Sequence, residues 1–335
     1  MLTSNLRSHD TFPIRIWELT FYIFIALSGI LGNGLILTVL RGDKNMRSSA
    51  FGIYIGALSL ADILVCILCV PIYLTSTSWF KYHPTGTAGD AMCKTFTGYN
   101  ILFLFATVSV YTMVAISYER YIAICHPFLA RVKLTPKRAK IAVAIIWAFS
   151  FLLGLLSIIG ERVSTPELAS VGAHCTFSNA YNNDIAPKVV YVVVFTIQYI
   201  SPIIFMVICF VKIKRELHIK KMQALHSPTA HVQNGELAAV RIRRKSVQTV
   251  LIVITSYFLC WSMNQALYFC LNFGFIGIKW NGTIMQISVL LCFFSSCINP
   301  FIYAVRSKHF RDGFAKILCC YQCKRKRNDY AELLQ

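Results

Sequence analysis

Asp62 makes the strongest chemical demand in this chain. It stands in the run Leu58-Ser59-Leu60-Ala61-Asp62-Ile63-Leu64, and neighbouring apolar runs hold no Lys or Arg to neutralise it. A carboxylate in such surroundings must be protonated, hydrated or bound to a small cation. Asn33, Ser109, Ser295, Ser296 and Asn299 lie at comparable depth in other apolar runs and offer neutral oxygens. A hard cation held by one carboxylate and several such oxygens is chemically sensible. A water-filled polar cluster that only packs helices is the alternative. Glu119-Arg120-Tyr121 closes a further apolar run where its charges reach water, and taken alone it reads as a helix-end ion pair. Asn299-Pro300-Phe301-Ile302-Tyr303 puts a proline inside the last run, as Pro71 and Pro202 do in two others. Each frees a backbone carbonyl and kinks its helix. Kinked helices around a hydrated carboxylate make a core with two stable arrangements.

The elements that must position these residues are lipid-crossing helices. The chain has 335 residues, 56% hydrophobic and 14% charged, with mean hydropathy +0.58. A soluble domain carries about 25% charged residues, so disorder, a coiled coil and a disulfide miniprotein are all excluded. A helix needs about 20 apolar residues to cross the hydrocarbon core. Seven stretches qualify: 16–40, 51–76, 91–125, 141–159, 189–211, 247–273 and 283–305. The polar segments between them leave no room for a separate soluble domain. The expectation is one domain, residues 1–335, an all-α membrane protein folded as a seven-transmembrane helix bundle. Residues 1–15 form an extracellular tail and residues 307–335 a short amphipathic C-terminal helix and tail.

Charge position decides what the net +19 means. Most of the Lys and Arg residues fall in the loops after spans one, three and five and in the C-terminal tail. The positive-inside rule therefore puts those segments in the cytosol and the N-terminus outside, as an odd number of spans requires. Spread around one membrane face, these charges suit anionic lipids and not nucleic acid. No cleavable signal precedes the first span, which is expected to serve as its own insertion signal.

Of thirteen Cys, only Cys93 and Cys175 fall in or beside outer segments. On the oxidising side a Cys93–Cys175 bridge is the economical expectation, and two unpaired thiols the alternative. Cys319, Cys320 and Cys323 follow an amphipathic stretch beside basic residues, which suits S-palmitoylation; a CxxC-like metal site is the alternative. Asn281-Gly282-Thr283 is a glycosylation sequon in the third outer loop.

Taken in order, these residues resemble the rhodopsin-like (class A) G-protein-coupled receptors over nearly the whole chain. The matching positions are Gly32-Asn33, Leu58-Ser59-Leu60-Ala61-Asp62, Ser109 eleven residues before Glu119-Arg120-Tyr121, and Ile124-Cys125-His126-Pro127. Trp147, Pro202, Cys260-Trp261 and Asn299-Pro300-Phe301-Ile302-Tyr303 complete the set. The resemblance implies a receptor in the plasma membrane whose extracellular agonist favours an outward swing of span six. Arg120 then releases its resting partners and helps form the pocket for a heterotrimeric G protein. It further implies arrestin and a receptor kinase as partners, and Trp261, Pro300 and Tyr303 as activation switches. A resting-state sodium ion would be held by Asp62, Ser109, Ser295 and Asn299 beneath Trp261. No other cofactor is expected.

Several residues depart from the family pattern. Met263 replaces the proline two residues after Trp261, Tyr257 stands for a phenylalanine, and Phe210 for the tyrosine whose hydroxyl reaches Tyr303. The inner end of span six carries Arg241, Arg243, Arg244 and Lys245 but no acid. Glu119 is then the only obvious latch for Arg120, and elevated basal signalling is expected. Cys93 precedes Arg120 by 27 residues, where 25 is usual.

No acid lies between Lys94 and Tyr118, which excludes an aminergic ligand, and Phe293 stands where retinal receptors need a lysine. What remains is an aromatic, neutral-polar pocket: Leu102, Phe103, Phe105, Tyr191, Phe195, Gln198, Trp261, Gln265, Tyr268 and Gln286. Glu161, Glu167 and Asp184 in the second outer loop can meet a basic peptide. A neuropeptide-like ligand is favoured over a neutral lipid or other small molecule. A transporter is the structural rival, but it would want intramembrane charges or repeats that are missing. No nucleophile–base set, phosphate loop or HExxH suggests an enzyme.

Overall fold

The computed structural model describes residues 7–8, 15–75, 77, 84, 86–159, 161–164, 176–179, 185–226, 229–273 and 282–317. Seven helices within these are long and apolar enough to cross a membrane. They are α1 (Ile16–Gly42), α2 (Ala50–Thr75), α3 (Asn100–Cys125), α4 (Pro136–Ile159), α5 (residues 185–225), α6 (Ala230–Phe273) and α7 (Thr283–Arg306). A further helix, α8, covers residues 308–317. The expected bundle is therefore present. Helices are what an apolar chain forms in lipid, because each peptide group finds its partner within the segment. Hydroxyls inside the spans follow the same logic: Ser28, Thr38, Thr107, Thr112 and Ser117 all donate to the carbonyl four residues back.

The packing closes into a ring in which α1 lies between α2 and α7, and α7 also touches α6. α3 runs through the middle and meets α2, α4, α5 and α6. Two close approaches fix α1 in place. Gly32 lies against the ring of Pro300, and a Cβ added there would sit 2.7 Å from it. Gly313 of α8 lies equally close to Val39. Phe310 of α8 stacks on Tyr303 with ring centroids 5.2 Å apart, and His309 meets Asp43 at 3.3 Å.

Helix irregularities answer two questions the spacing raises. Residues Cys93–Thr97 form a π-helical turn, and Tyr99 takes a left-handed conformation (φ 59°) before α3 begins. A π turn takes in an extra residue per hydrogen-bonded ring, and the left-handed residue resets the axis. Together they absorb the longer Cys93–Arg120 spacing. A second π turn, Thr196–Ile200, stands just before Pro202, and the helix Ile185–Phe195 ahead of it is the first part of α5, whose apolar span is Tyr191–Leu225. There the proline's missing N–H falls where the helical ladder is already interrupted.

One feature was not anticipated from sequence. Strands β1 (Arg7–Ser8), β2 (Glu161–Ser164) and β3 (Thr176–Asn179) pair antiparallel in the order β1-β3-β2. The hairpin register pairs Glu161 with Asn179 and Ser164 with Thr176, and Arg7 lies opposite Phe177.

Gly32→Ala should destabilise the bundle by about 1–3 kcal/mol, because a rigid ring opposes the new methyl. Gly34→Ala, with nothing within 4 Å of its added Cβ, should melt within error of the parent. Thermal melting of the detergent-solubilised protein distinguishes them, and equal melting of the two variants counts against the Gly32–Pro300 contact.

Candidate functional site

The Asp62 carboxylate is 1% exposed. One of its oxygens accepts from the Ser109 hydroxyl of α3 at 2.8 Å, the other from the Asn299 amide of α7 at 2.8 Å. Three helices thus meet at one acid, and among the described residues no cation is paired with it. Asn33 donates to the carbonyls of Gly29 and Ser296, both at 3.0 Å. Its own side-chain oxygen is buried without a partner. A carboxylate, hydroxyls and an unsatisfied amide oxygen are hard donors, the set that a small monovalent cation or ordered water satisfies. The residues present therefore fit the implied ion. Ser295 stands one step aside from this cluster. Its hydroxyl donates to the Cys292 carbonyl at 2.6 Å and accepts from the indole N–H of Trp261 at 3.2 Å.

Trp261 begins an aromatic column. Tyr257 stacks on it at 5.3 Å, Phe103 meets it edge-on at 5.9 Å, and Phe293 lies 6.4 Å from Phe103. Asn264, one turn further along α6, donates to Ser288 of α7 at 3.0 Å. α6 runs unbroken through Met263.

The expected ligand-pocket residues divide. Tyr191 packs on Phe195 and Tyr268, and Phe195 continues to Tyr199 and Phe269, an aromatic wall between α5 and α6. Gln198 and Gln265 are half-buried along the same helices. Gln286 is buried with its carbonyl oxygen unpaired. Phe105 instead turns toward α4 and meets Trp147 edge-on at 5.9 Å, and Leu102 is fully buried in the core. Both pack helices together. Tyr199, whose hydroxyl shares a 2.7 Å hydrogen bond with Ser262, was not foreseen. The four-residue step from Tyr191 to Phe195 continues to Tyr199 and could have signalled it.

A second unforeseen group is Glu18, fully buried in the first turn of α1. Arg15 pairs with it at 3.0 Å and donates to Thr283 of α7 at 3.2 Å, while Tyr73 of α2 donates to its other oxygen at 3.0 Å. Three residues from a helix start, an acid in sequence looks solvated. Here its neighbours fold over it and tie α1, α2 and α7 together.

At the basic end of the bundle, Arg120 forms an ion pair with Glu119 and lies over the ring of Phe51 at 4.0 Å. It also donates to the Ser246 hydroxyl of α6 at 3.4 Å. The expectation of Glu119 as sole latch therefore gains two further holds, one of them on α6. Tyr121 shares a 3.0 Å hydrogen bond with His126. Phe210, Met206, Val250 and Ile254 line a small, partly open cavity that reaches Arg120.

Cys93 is disulfide-bonded. Cys175, expected as its partner, lies outside the described residues, as do Cys319, Cys320, Cys323 and Asn281.

The fold is a seven-helix bundle with an arginine latch at one end and an aromatic wall at the other. The family profile described as 7 transmembrane receptor (rhodopsin family) matches residues 32–303. The chain belongs to that family of G-protein-coupled receptors. Its relatives include galanin receptor 2a of Danio rerio, 26% identical over 304 residues that make up 89% of this chain and 77% of the relative. Galanin receptor 2b of the same fish is 28% identical over 331 residues, 96% of this chain and 80% of the relative. Galanin receptor type 2 of Rattus norvegicus is 28% identical over 299 residues, 89% and 74% respectively.

Glu119→Gln removes the charge that holds Arg120. A hydrogen bond to a charged partner contributes about 1.5–3 kcal/mol, so ligand-free nucleotide exchange on G proteins should rise several-fold. Exchange equal to the parent's counts against the latch.

Proposed function

We propose that this receptor responds to an extracellular neuropeptide-like ligand, of the kind its galanin-receptor relatives are named for, and passes the signal to heterotrimeric G proteins. The aromatic wall of Tyr191, Phe195, Tyr199, Tyr268 and Phe269 carries the reading. It is a large apolar and weakly polar surface without a deep counter-charge on α3, α5, α6 or α7, suited to a ligand bound through many side chains. The sheet formed by β1, β2 and β3 supports it, because a paired strand edge can receive an extended peptide backbone. On this reading the N-terminus is extracellular, the protein resides in the plasma membrane, and the basic end faces the cytosol and its anionic lipids. Arrestin and a receptor kinase then act at that same end.

The mechanism follows from the contacts. A ligand pressing on the wall between α5 and α6 shifts Trp261, whose N–H is tied to Ser295 on the kinked α7. Movement there changes the Asp62–Asn299 bond and, at the far end, the Arg120–Ser246 contact that keeps α6 against α3. A sodium ion at Asp62, with Ser109, Asn299 and the free oxygen of Asn33 as its oxygen sources and Ser295 one step away on Trp261, favours the closed arrangement. By linkage, whatever weakens the ion's hold strengthens the agonist's, and the reverse.

Cells expressing the receptor with a panel of G-protein reporters should respond to galanin or another member of a neuropeptide library. A response confined to lipids or other small molecules, or to none of the peptides, overturns the ligand class.

Asp62→Asn should make agonist affinity insensitive to sodium. The parent should lose affinity several-fold when choline is replaced by sodium at about 0.15 M, a swap that leaves screening unchanged. A variant that responds to sodium as the parent does removes the ion from Asp62.

A further inference from the structure

The segment of α6 that faces Arg120 is unusual in its charges. Between Leu237 and Trp261 it has no acid, while Arg241, Arg243, Arg244 and Lys245 follow one another closely. All four basic side chains are exposed, and Ser246 directly after them is half-buried. The hydroxyl of Ser246 accepts the 3.4 Å hydrogen bond from the guanidinium of Arg120. Among the described residues, the hydrogen bond that joins the arginine latch to α6 is therefore accepted by a neutral, modifiable oxygen. Two arginines stand three and two residues before it. That spacing of basic residues ahead of a serine is what the acidic substrate groove of a basophilic protein kinase recognises by charge.

We propose that Ser246 is a phosphorylation site that supplies the latch with the acid α6 lacks. In the transfer, the bond between the γ-phosphorus of ATP and its bridging oxygen breaks. A new bond forms from that phosphorus to the Ser246 Oγ, ADP leaves, and the hydroxyl proton passes to the kinase's catalytic base. The product carries a charge of about −1.5 to −2 and three strong acceptor oxygens. It sits where Arg120 already points, and a guanidinium can take a phosphate through two parallel N–H bonds. Phe51 lies on the face of the guanidinium and Glu119 on its Nε side, so the Nη1 edge toward α6 is the one that meets the phosphate. The flanking Arg243, Arg244 and Lys245 add to the field, as does Arg306 of α7, which reaches α6 at Gln248 (3.1 Å). Glu119 opposes it as the nearest like charge. Five cationic neighbours to one anion make the balance attractive.

The geometry also sets the order of events. With α6 against α3, Ser246 is partly covered by Arg120; when α6 moves away, the hydroxyl is released beside a basic flank that is already exposed. Kinase action then follows activation, and the phosphate pulls α6 back onto α3. Ser246 thus closes a feedback loop within the receptor, separate from any modification of the C-terminal tail. The inference rests on the receptor class and the cytosolic placement of the basic end, and not on the identity of the ligand.

The test uses full-length receptor in lipid nanodiscs, treated with ATP and the catalytic subunit of cAMP-dependent protein kinase, and a portion then treated with phosphatase. Mass spectrometry should find phosphate on Ser246, and Arg243→Gln with Arg244→Gln should reduce it at least tenfold. The kinase-treated receptor should show ligand-free nucleotide exchange several-fold below its phosphatase-treated counterpart, and Ser246→Ala should show no such difference. Spin labels on the inner ends of α3 and α6 should report a shorter distance with phosphate than without, whether or not the chosen G protein couples. Absence of phosphate at Ser246 overturns the site. Phosphate that leaves both exchange and distance unchanged, or that raises exchange, overturns the latch. A failure of every peptide to activate the receptor leaves these readouts intact and strikes only the ligand reading.

Discussion

A carboxylate sealed among membrane-crossing helices, with no cation paired to it among the described residues, is the constraint on which the rest of the structure turns. Water is not available in quantity at that depth, and an unsatisfied charge there is expensive. Asp62 meets the demand by drawing a hydroxyl from α3 and an amide from α7. The helices of the core are thereby joined through a group that has two chemical states and spare lone pairs. Packing alone would give a rigid bundle; a polar centre that can gain or lose an ion gives one with two comparable arrangements. Asn299, which bonds the acid, is followed by Pro300, which packs on Gly32, so the proline-bearing part of α7 is held on one side by α1 and on the other by the acid.

From this centre, contacts run to both ends of the molecule. Ser295 links the indole of Trp261 to the kinked segment of α7, and Trp261 is in ring contact with Tyr257 and Phe103. The aromatic wall beyond is built from α5 and α6, the helices that must separate or close when α6 moves. At the basic end Arg120 binds within its own helix to Glu119 and across to α6 and α2. A continuous set of contacts does not make a switch by itself. Among the described residues, α6 is hydrogen-bonded to α3 by a long contact at one end, Arg120–Ser246, and to α7 through Trp261, Asn264 and Gln248.

The departures from the family pattern acquire a physical meaning in this setting. With Met263 in place of the family's proline, α6 is an unbroken helix of 44 residues that keeps its backbone ladder past Trp261. Phe210 faces the inner cavity with no hydroxyl to offer. The longer spacing from Cys93 to Arg120 is taken up before α3 begins, in a π turn and one left-handed residue, which leaves the register of Ser109 and Arg120 untouched.

What could be learned from the order of residues alone was whatever depends on composition and local period. Seven apolar stretches of spanning length, the excess of basic residues on alternate loops, and Asp62 as a buried acid with Ser109 and Asn299 in reach were all legible, because lipid imposes its demands on each segment separately. Which neighbour a side chain faces is a property of helix rotation and packing, and only the tertiary structure decided it. Phe105 turns to Trp147 and not to the pocket, Ser295 bonds Trp261 and not Asp62, and Glu18, apparently solvated at a helix start, is buried by Arg15 and Tyr73. Ser246 is one polar residue among many until α6 is laid against α3 and its hydroxyl meets Arg120. The three-stranded sheet was hidden for the same reason: its strands are two to four residues long, and such short pieces become strands only when distant parts of the chain bring them together.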